Sequence, residues 1–457
     1  MVYTDLFFLL ALLPLSVIFS FFDESAEYKN LISVIAGAIF VAWGRPLWVL
    51  LIFLSFIFDW GMGLLVGKFR QSNKAASVIF LMLDMLWNAA IFILYTRGGA
   101  VHLPDKLTLR ESLIPLAMGY YVLRAFSYVF DVYKGEKAEK NPLYLLTYML
   151  SFHFMMTGPV IRYKDISAQL RERRTTGKMI SDGLDNIVFG LGKVVILAHA
   201  FDLLKQSGLE GGDVTFFGCW LGMLAFFASA YFTLSGLCQM SMGMGLLTGF
   251  TYKKNFDDPD SKLLFTGLVK GYNTSVTDLF DEMIVSRFRY KTVPCAIAAF
   301  VCCMAVAGWY SFSKPAFLVG AIVGAVIVLE KLVWGKKLRA MPGLVRVIYL
   351  VVLTFLIFSV LYFGSTYGWR KWALGLVGVG DKGLISHQMK TVLLSYLFAY
   401  IIGVICYLPW LKDQVIRSVN KLSKKTKELY TFVNTSKTIL KALLLIMCVA
   451  AIITRKM

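Results

Sequence analysis

The chain has 457 residues, of which 58% are hydrophobic and 16% charged, and its mean hydropathy is +0.67. Soluble domains carry about 45–50% apolar and about 25% charged residues, so a soluble globular enzyme is excluded and a polytopic helical membrane protein is expected. The net charge of +19 would suit nucleic acid, but the basic residues fall between apolar stretches, where anionic headgroups and the positive-inside rule account for them; no nucleic acid is expected as a partner.

A membrane span needs about 20 apolar residues. In chain order the candidates are 2–22, 30–43, 46–66, 75–95, 112–130, 142–160, 186–204, 214–231, 234–250, 293–311, 315–334, 344–363, 388–411 and 438–454. Several fall short of a full crossing and are expected to be tilted, re-entrant or half-spanning, as occurs where broken helices line a cavity. The opening stretch, Met1 to Leu10, lacks a basic n-region and a cleavage site, so it reads as a retained span or an interfacial helix rather than a cleaved signal peptide. Three basic loops stand out: Lys68 to Lys74, Arg162 to Lys178, and Lys412 to Lys427 with its Lys424 and Lys425 pair. The first and last are expected on the cytoplasmic side. Simple alternation puts the middle one outside, so one intervening segment is expected not to cross. The middle loop also has the charge to touch an anionic substrate. The seven cysteines show no CxxC or His-paired spacing, and neither a disulfide framework nor a metal site is expected.

The polar interruption from Tyr231 to Glu330 contrasts with everything around it. It holds Asn273, Thr274, Ser275, Tyr310 and Glu330, and unpaired polar groups cost several kcal/mol each at membrane depth. Gly158-Pro159 reads as a helix break, because Pro lacks an N–H and disfavours helix before it. Arg162 and Tyr163 then sit at a membrane boundary, either as a snorkelling and aromatic-belt anchor or as a substrate contact. Asp131 is expected to pair with a Lys or Arg, and His153 and His199 to be satisfied core histidines. Asn273 with its two hydroxyl neighbours either caps a helix start or orients a substrate group.

Ser127-Tyr128 with Asp131 and Tyr133, Gly158-Pro159 with Arg162-Tyr163, Gly190 to Ala198, Phe232 to Gly243, and Gly249-Phe250 followed by Asn255-Phe256 and Pro259 together carry a family pattern. They resemble the membrane-bound O-acyltransferase family, in the branch of the alginate O-acetylation membrane subunit and the D-alanyl-lipoteichoic acid transfer protein. The resemblance runs from about 30 to 363. It implies an all-α, polytopic integral membrane bundle of about 11–14 membrane segments ringing a central funnel or tunnel. Residues 1–29 are then an N-terminal membrane helix, 30–363 the family-like core, and 364–457 C-terminal membrane helices with a basic cytoplasmic loop.

The implied reaction moves an acyl group, with acetyl the expected one, from a cytoplasmic thioester to hydroxyls of an envelope or exported polysaccharide. Acyl-CoA or an acylated carrier protein would be the donor, with no permanently bound cofactor and no metal. Membrane lipid, the donor and the glycan are the implied partners, and a further acyltransferase outside the cytoplasm is permitted. Two departures bear on this. Gly308-Trp309-Tyr310 aligns with the family's Leu-Trp-His-Gly, and Gly320, Gly324 and Glu330 keep the expected offsets, so Tyr310 stands where the base His belongs. Gln239 replaces the acid of another motif. The resemblance makes Asn273 and Tyr310 the catalytic candidates, expected to approach each other, with Ser275, Thr274, Trp309, Gln239, Arg162 and Tyr163 around the substrate. A phenol of pKa about 10 is a poor base at neutral pH. Three readings therefore stand: a divergent acyltransferase, a catalytically inactive family member serving as a binding or assembly subunit, and a transporter or channel.

Overall fold

The computed structural model describes the chain except residues 44–46, 97–113, 156–157, 211–214, 257–263, 289–291, 364–375, 378–383, 424–425 and 457. Pro259 and the Lys424 and Lys425 pair lie outside the described residues. Helix accounts for 85%, and no strand occurs among the described residues.

A short π-turn, Phe8–Leu12, runs into α1 (Leu13–Phe19). α2 (Ala26–Ala42) starts at Ser25, whose hydroxyl accepts the Tyr28 N–H at 3.4 Å as an N-cap. α3 (Leu47–Ser72), α4 (Lys74–Thr96) and α5 (Ile114–Lys134) follow. α6 (Pro142–Leu150) is capped by Asn141, with Pro142 in its first turn. α7 (Tyr163–Arg171) buries Tyr163, Ile166 and Leu170 and exposes Lys164 and Asp165, the spacing of an amphipathic helix. Then come α8 (Gly177–Gly192), α9 (His199–Lys205), α10 (Phe216–Leu247), α11 (Phe265–Gly271), α12 (Thr274–Phe280), α13 (Thr292–Tyr310) and α14 (Lys314–Leu329). The chain finishes with α15 (Gly335–Ala340), α16 (Gly343–Phe363), α17 (His387–Ser395), α18 (Leu397–Tyr407), α19 (Pro409–Ser423) and α20 (Lys427–Lys456).

Eight helical stretches are long and apolar enough to cross a membrane, or nine if α17 and α18, bent by 68°, form one span. Leu10, Leu86, Phe398 and Leu440 are each more than 60% exposed, and bilayer hydrocarbon is the solvent that accommodates such surfaces. The protein is a multi-pass membrane protein.

The span count among the described residues is lower than the 11–14 expected, for identifiable reasons. Phe8–Phe19 is too short to cross. The 142–160 stretch stops at Leu150 and becomes a 3-10 turn at Phe152–Phe154, so its helix ends before the break expected at Gly158-Pro159, and among the described residues helix resumes at Tyr163. The stretches 214–231 and 234–250, read as two spans, are one 32-residue helix, α10. Within it Gly236 marks a close approach, since a Cβ there would come 2.8 Å from the Gly190 carbonyl oxygen and 2.7 Å from Val194. The three basic loops are also largely helical: α3 runs through Lys68 to Ser72, α7 covers 163–171 of the middle one, and α19 covers 412–423.

The described chain forms two compact units. The first comprises Met1–Ile187, Leu237–Asn255 and Trp309–Phe312; the second comprises Val188–Gly236, Phe256–Gly308 and Ser313–Met457. In the first, α3, α4 and α5 pack on one another and α2 packs on α6. In the second, α14 packs on α16 and α19 on α20.

Candidate functional site

The polar segment of the second unit hangs from Glu330, which is 5% exposed. Its Oε1 accepts the Phe265 N–H at 2.9 Å and the Tyr349 hydroxyl at 3.0 Å; its Oε2 accepts the Thr266 N–H at 2.8 Å and the Thr266 hydroxyl. A carboxylate over the first turn of α11 satisfies N–H groups that have no partner within the helix and complements the helix dipole. Gly320 and Gly324 serve the same assembly. A Cβ at Gly320 would come 2.8 Å from Ala307 Cβ, and one at Gly324 2.8 Å from Phe300 Cδ2, so α13 and α14 approach at near-backbone distance. The residues that set the motif's register therefore hold helices together.

Asn273 follows α11 and precedes α12. With φ 56° and ψ 58° it is left-handed, and it is the one non-glycine residue with positive φ among the described residues. Asn tolerates this region better than other side chains. It occupies the N-cap position, yet its side chain makes no capping hydrogen bond; its backbone carbonyl takes the Val276 and Thr277 N–H groups at 3.1 and 3.2 Å. Simple capping is thus not what this amide does. Asn273 is 2% exposed, and Ser275 Oγ lies 3.5 Å from its Oδ1. Thr274 opens α12, and its carbonyl accepts the Thr277 hydroxyl at 3.0 Å.

The other site candidates belong to the first unit, with Tyr310 there and Asn273 in the second. Trp309 is 7% exposed; its indole N–H donates to the Gly119 carbonyl at 3.0 Å, and Tyr120 meets its ring edge-on at 5.0 Å. The indole is spent on the scaffold. Tyr310 closes α13, half-buried, its ring 4.7 Å from that of Trp309. Gln239 Nε2 donates to Asn186 Oδ1 at 3.2 Å, joining α10 to α8, while its Oε1 is buried without a partner among the described residues.

Arg162 grips Asp131 with two guanidinium nitrogens, Nε to Oδ2 at 3.2 Å and Nη2 to Oδ1. Asp131 has the structural partner expected for it. Tyr163 donates its hydroxyl to Glu139, which also pairs with Arg171 and accepts the Asn141 N–H at 2.9 Å. Burial, then Glu139, push the Tyr163 phenol well above its ordinary value, so it stays a donor. The structure brings Arg162 and Tyr163 into paired networks that do not require a substrate.

Two clusters escaped the sequence reading. Asp59 on α3 and Asp84 on α4 are fully buried neighbours. Asp59 accepts from Asn88 at 3.0 Å, Ser55 at 3.2 Å and Tyr121 at 3.3 Å. The signal was available: two Asp and an Asn inside otherwise apolar stretches. The second cluster centres on His153. It was expected to be a satisfied core histidine; it is fully buried, but neither ring nitrogen has a partner among the described residues, since the turn at 152–154 aims the ring at aromatic neighbours. His199 packs edge-on against Tyr396 at 6.5 Å.

Over 299 residues the chain is 29% identical to the protein named probable alginate O-acetylase AlgI of Pseudomonas aeruginosa, a match covering 63% of this chain and 57% of that one. The protein of the same name from Azotobacter vinelandii is 25% identical over 431 residues, covering 88% of this chain and 85% of its own. The chain is a homologue of the alginate O-acetylases. A peptidoglycan O-acetyltransferase of Helicobacter pylori is similar at 22% over 317 residues, with 61% of this chain and 60% of that one covered. No family model matches the chain. Its span thus runs from just over half to most of the length of these O-acetylases, whose names agree with the membrane-bound O-acyltransferase motifs read above.

Proposed function

We propose that this protein is a membrane O-acyltransferase that transfers an acetyl group from a cytoplasmic thioester, acyl-CoA or an acylated carrier protein, to hydroxyls of an envelope or exported polysaccharide. The observation that carries this reading is the 25% identity to an alginate O-acetylase across 88% of the chain. In the reaction the acceptor oxygen attacks the thioester carbonyl carbon, a C–O bond forms, the C–S bond breaks, and the hydroxyl proton ends on the departing thiol. The barrier falls where the hydroxyl is held at the carbonyl and donors meet the developing oxyanion. Asn273, buried and free of capping duty, is the residue assigned to orient the acyl carbonyl, with the Ser275 hydroxyl beside its amide. Tyr310 is assigned as a hydrogen-bond donor rather than a base.

A second reading is favoured by Tyr310 itself, which stands where the resemblance places His. In it the chain is catalytically inactive and serves as a binding or assembly subunit of an envelope polysaccharide system. The purified protein in lipid, given labelled acetyl donor and envelope glycans, separates the two. Turnover by wild type that is lost in Tyr310→Phe and Asn273→Ala supports the transferase. A silent wild type that gains activity as Tyr310→His supports the second reading.

A further inference from the structure

Arg173 lies between α7 and α8, is 3% exposed, and stacks its guanidinium 4.4 Å over the Phe250 ring. Its Nε, Nη1 and Nη2 all lack a hydrogen-bond partner among the described residues, as do the Tyr252 hydroxyl and both ring nitrogens of His153. The three groups share one neighbourhood. The His153 and Tyr252 rings are 6.2 Å apart, and Phe250 lies 5.2 Å from His153 and 6.2 Å from Tyr252. A second guanidinium, Arg124, sits 5.5 Å from the Phe154 ring, itself 5.5 Å from Tyr252. Arg124 donates to the Tyr120 and Tyr148 carbonyls and to Met155 sulfur, all neutral acceptors. Neither arginine has a carboxylate partner among the described residues. Charge buried without a counter-charge is strongly unfavourable unless something else supplies it.

The backbone makes room for this arrangement. Gly249 has φ +86°, and a Cβ there would come 2.7 Å from Arg173 Cγ; a Cβ at Gly245 would collide with the Tyr252 ring. Burial brings the Arg173 guanidinium down to about 10, which leaves it a cation at pH 7. Burial holds the Tyr252 phenol well above its ordinary value, hence protonated, and holds His153 well below its own, hence neutral. The groups on offer are a guanidinium fork, a hydroxyl and one imidazole N–H. Two positive charges and mostly donors suit a tetrahedral dianion better than a carboxylate, which would leave one charge unmatched; a phosphate monoester carries about −1.5 to −2 at neutral pH. The half-buried Tyr252 continues into exposed Lys253 and Lys254, so the approach is also basic.

We propose that Arg173, Tyr252 and His153 form a buried binding site for a phosphate-bearing ligand. The proposal stands apart from the acyl-transfer reading, since a protein that transfers nothing can bind phosphate. Three sources share this chemistry: free phosphate, a thiol-bearing phosphate monoester such as pantetheine 4′-phosphate, and the monoester headgroup of phosphatidate.

The test uses the full chain in a phosphate-free maltoside detergent. The probes are inorganic phosphate, pantetheine 4′-phosphate with pantetheine as control, and dioctanoyl phosphatidate; binding and the unfolding midpoint are measured for each. At least one probe raises the wild-type midpoint by several degrees, and the one that does so at lowest concentration names the source. Arg173→Met weakens that binding by at least 30-fold, and Tyr252→Phe weakens it about 10-fold, as expected for one lost hydrogen bond to a charged group. In phosphate-free buffer Arg173→Met unfolds at a higher temperature than wild type. If no probe shifts the wild type, or if the shifts survive in Arg173→Met, the proposal fails. Should Arg173→Met not fold, Tyr252→Phe carries the same comparison. Because none of these readouts involves acyl transfer, the site can fail while the transferase stands, and the reverse.

Discussion

Arg162 and Arg173 are eleven residues apart in one basic stretch, yet the fold treats them oppositely. Arg162 is gripped by Asp131, and beside it Glu139 gathers Tyr163, Arg171 and the Asn141 N–H, so that charge meets counter-charge throughout. Around Arg173, His153 and Tyr252 no carboxylate appears among the described residues, and their buried polar atoms have no hydrogen-bond partner among them. A charge that the fold itself uses comes with its partner built in. A charge buried without one weakens the empty protein and is explained by something that binds.

The contrast can be broken most decisively at the paired region. Asp131→Asn removes the counter-charge and leaves Arg162 in place, so the cost should be large, about 3–5 kcal/mol of stability, read from unfolding in detergent. The double variant Asp131→Leu with Arg162→Met should recover most of it. A loss below about 1 kcal/mol in the single variant would mean the pair is solvated and the contrast with Arg173 is empty.

Glu330→Ala comes next, because it strands the Phe265 and Thr266 N–H groups and the Tyr349 hydroxyl. We expect a loss of about 1–3 kcal/mol, with loosening of α11 seen as faster amide exchange at residues 265–271. Gly320→Val tests the same assembly by crowding α13. Its cost should be about 1–3 kcal/mol, and an unaffected midpoint would show that the two helices can move apart.

The smallest effect is the most informative for function. Asn273→Gly keeps the left-handed backbone at little cost, whereas Asn273→Ala should cost about 1–2 kcal/mol because alanine lacks the short polar side chain that offsets the Cβ strain of this region. If the amide orients an acyl group, both variants lose acetyl transfer alike despite their different stabilities. If Asn273→Gly retains full transfer, only the backbone turn mattered.

Much of the scaffold was legible in the chain. The need of Asp131 for a cation follows from local chemistry and the spacing of Gly320, Gly324 and Glu330 from the family resemblance, and each has a visible structural counterpart. The candidate site was only partly legible. Trp309, Arg162 and Tyr163 carry recognisable motifs yet are tied into the scaffold; Asp59 and Asp84 show in the sequence only as charges inside apolar stretches, and what surrounds Arg173 emerges only from its neighbours in space.

By itself, the sequence determined that the chain lives in a membrane as helices, and which proteins it is similar to. Hydropathy is a sum over neighbouring residues, and motifs are spacings along a line, so both survive without a fold. Only the tertiary structure decided that 216–247 is one helix, that Asn273 is left-handed with no side-chain capping bond, and that Arg162 is matched while Arg173 has no partner among the described residues. Each of those depends on which distant groups arrive within hydrogen-bonding or van der Waals reach, and a linear pattern carries no record of that.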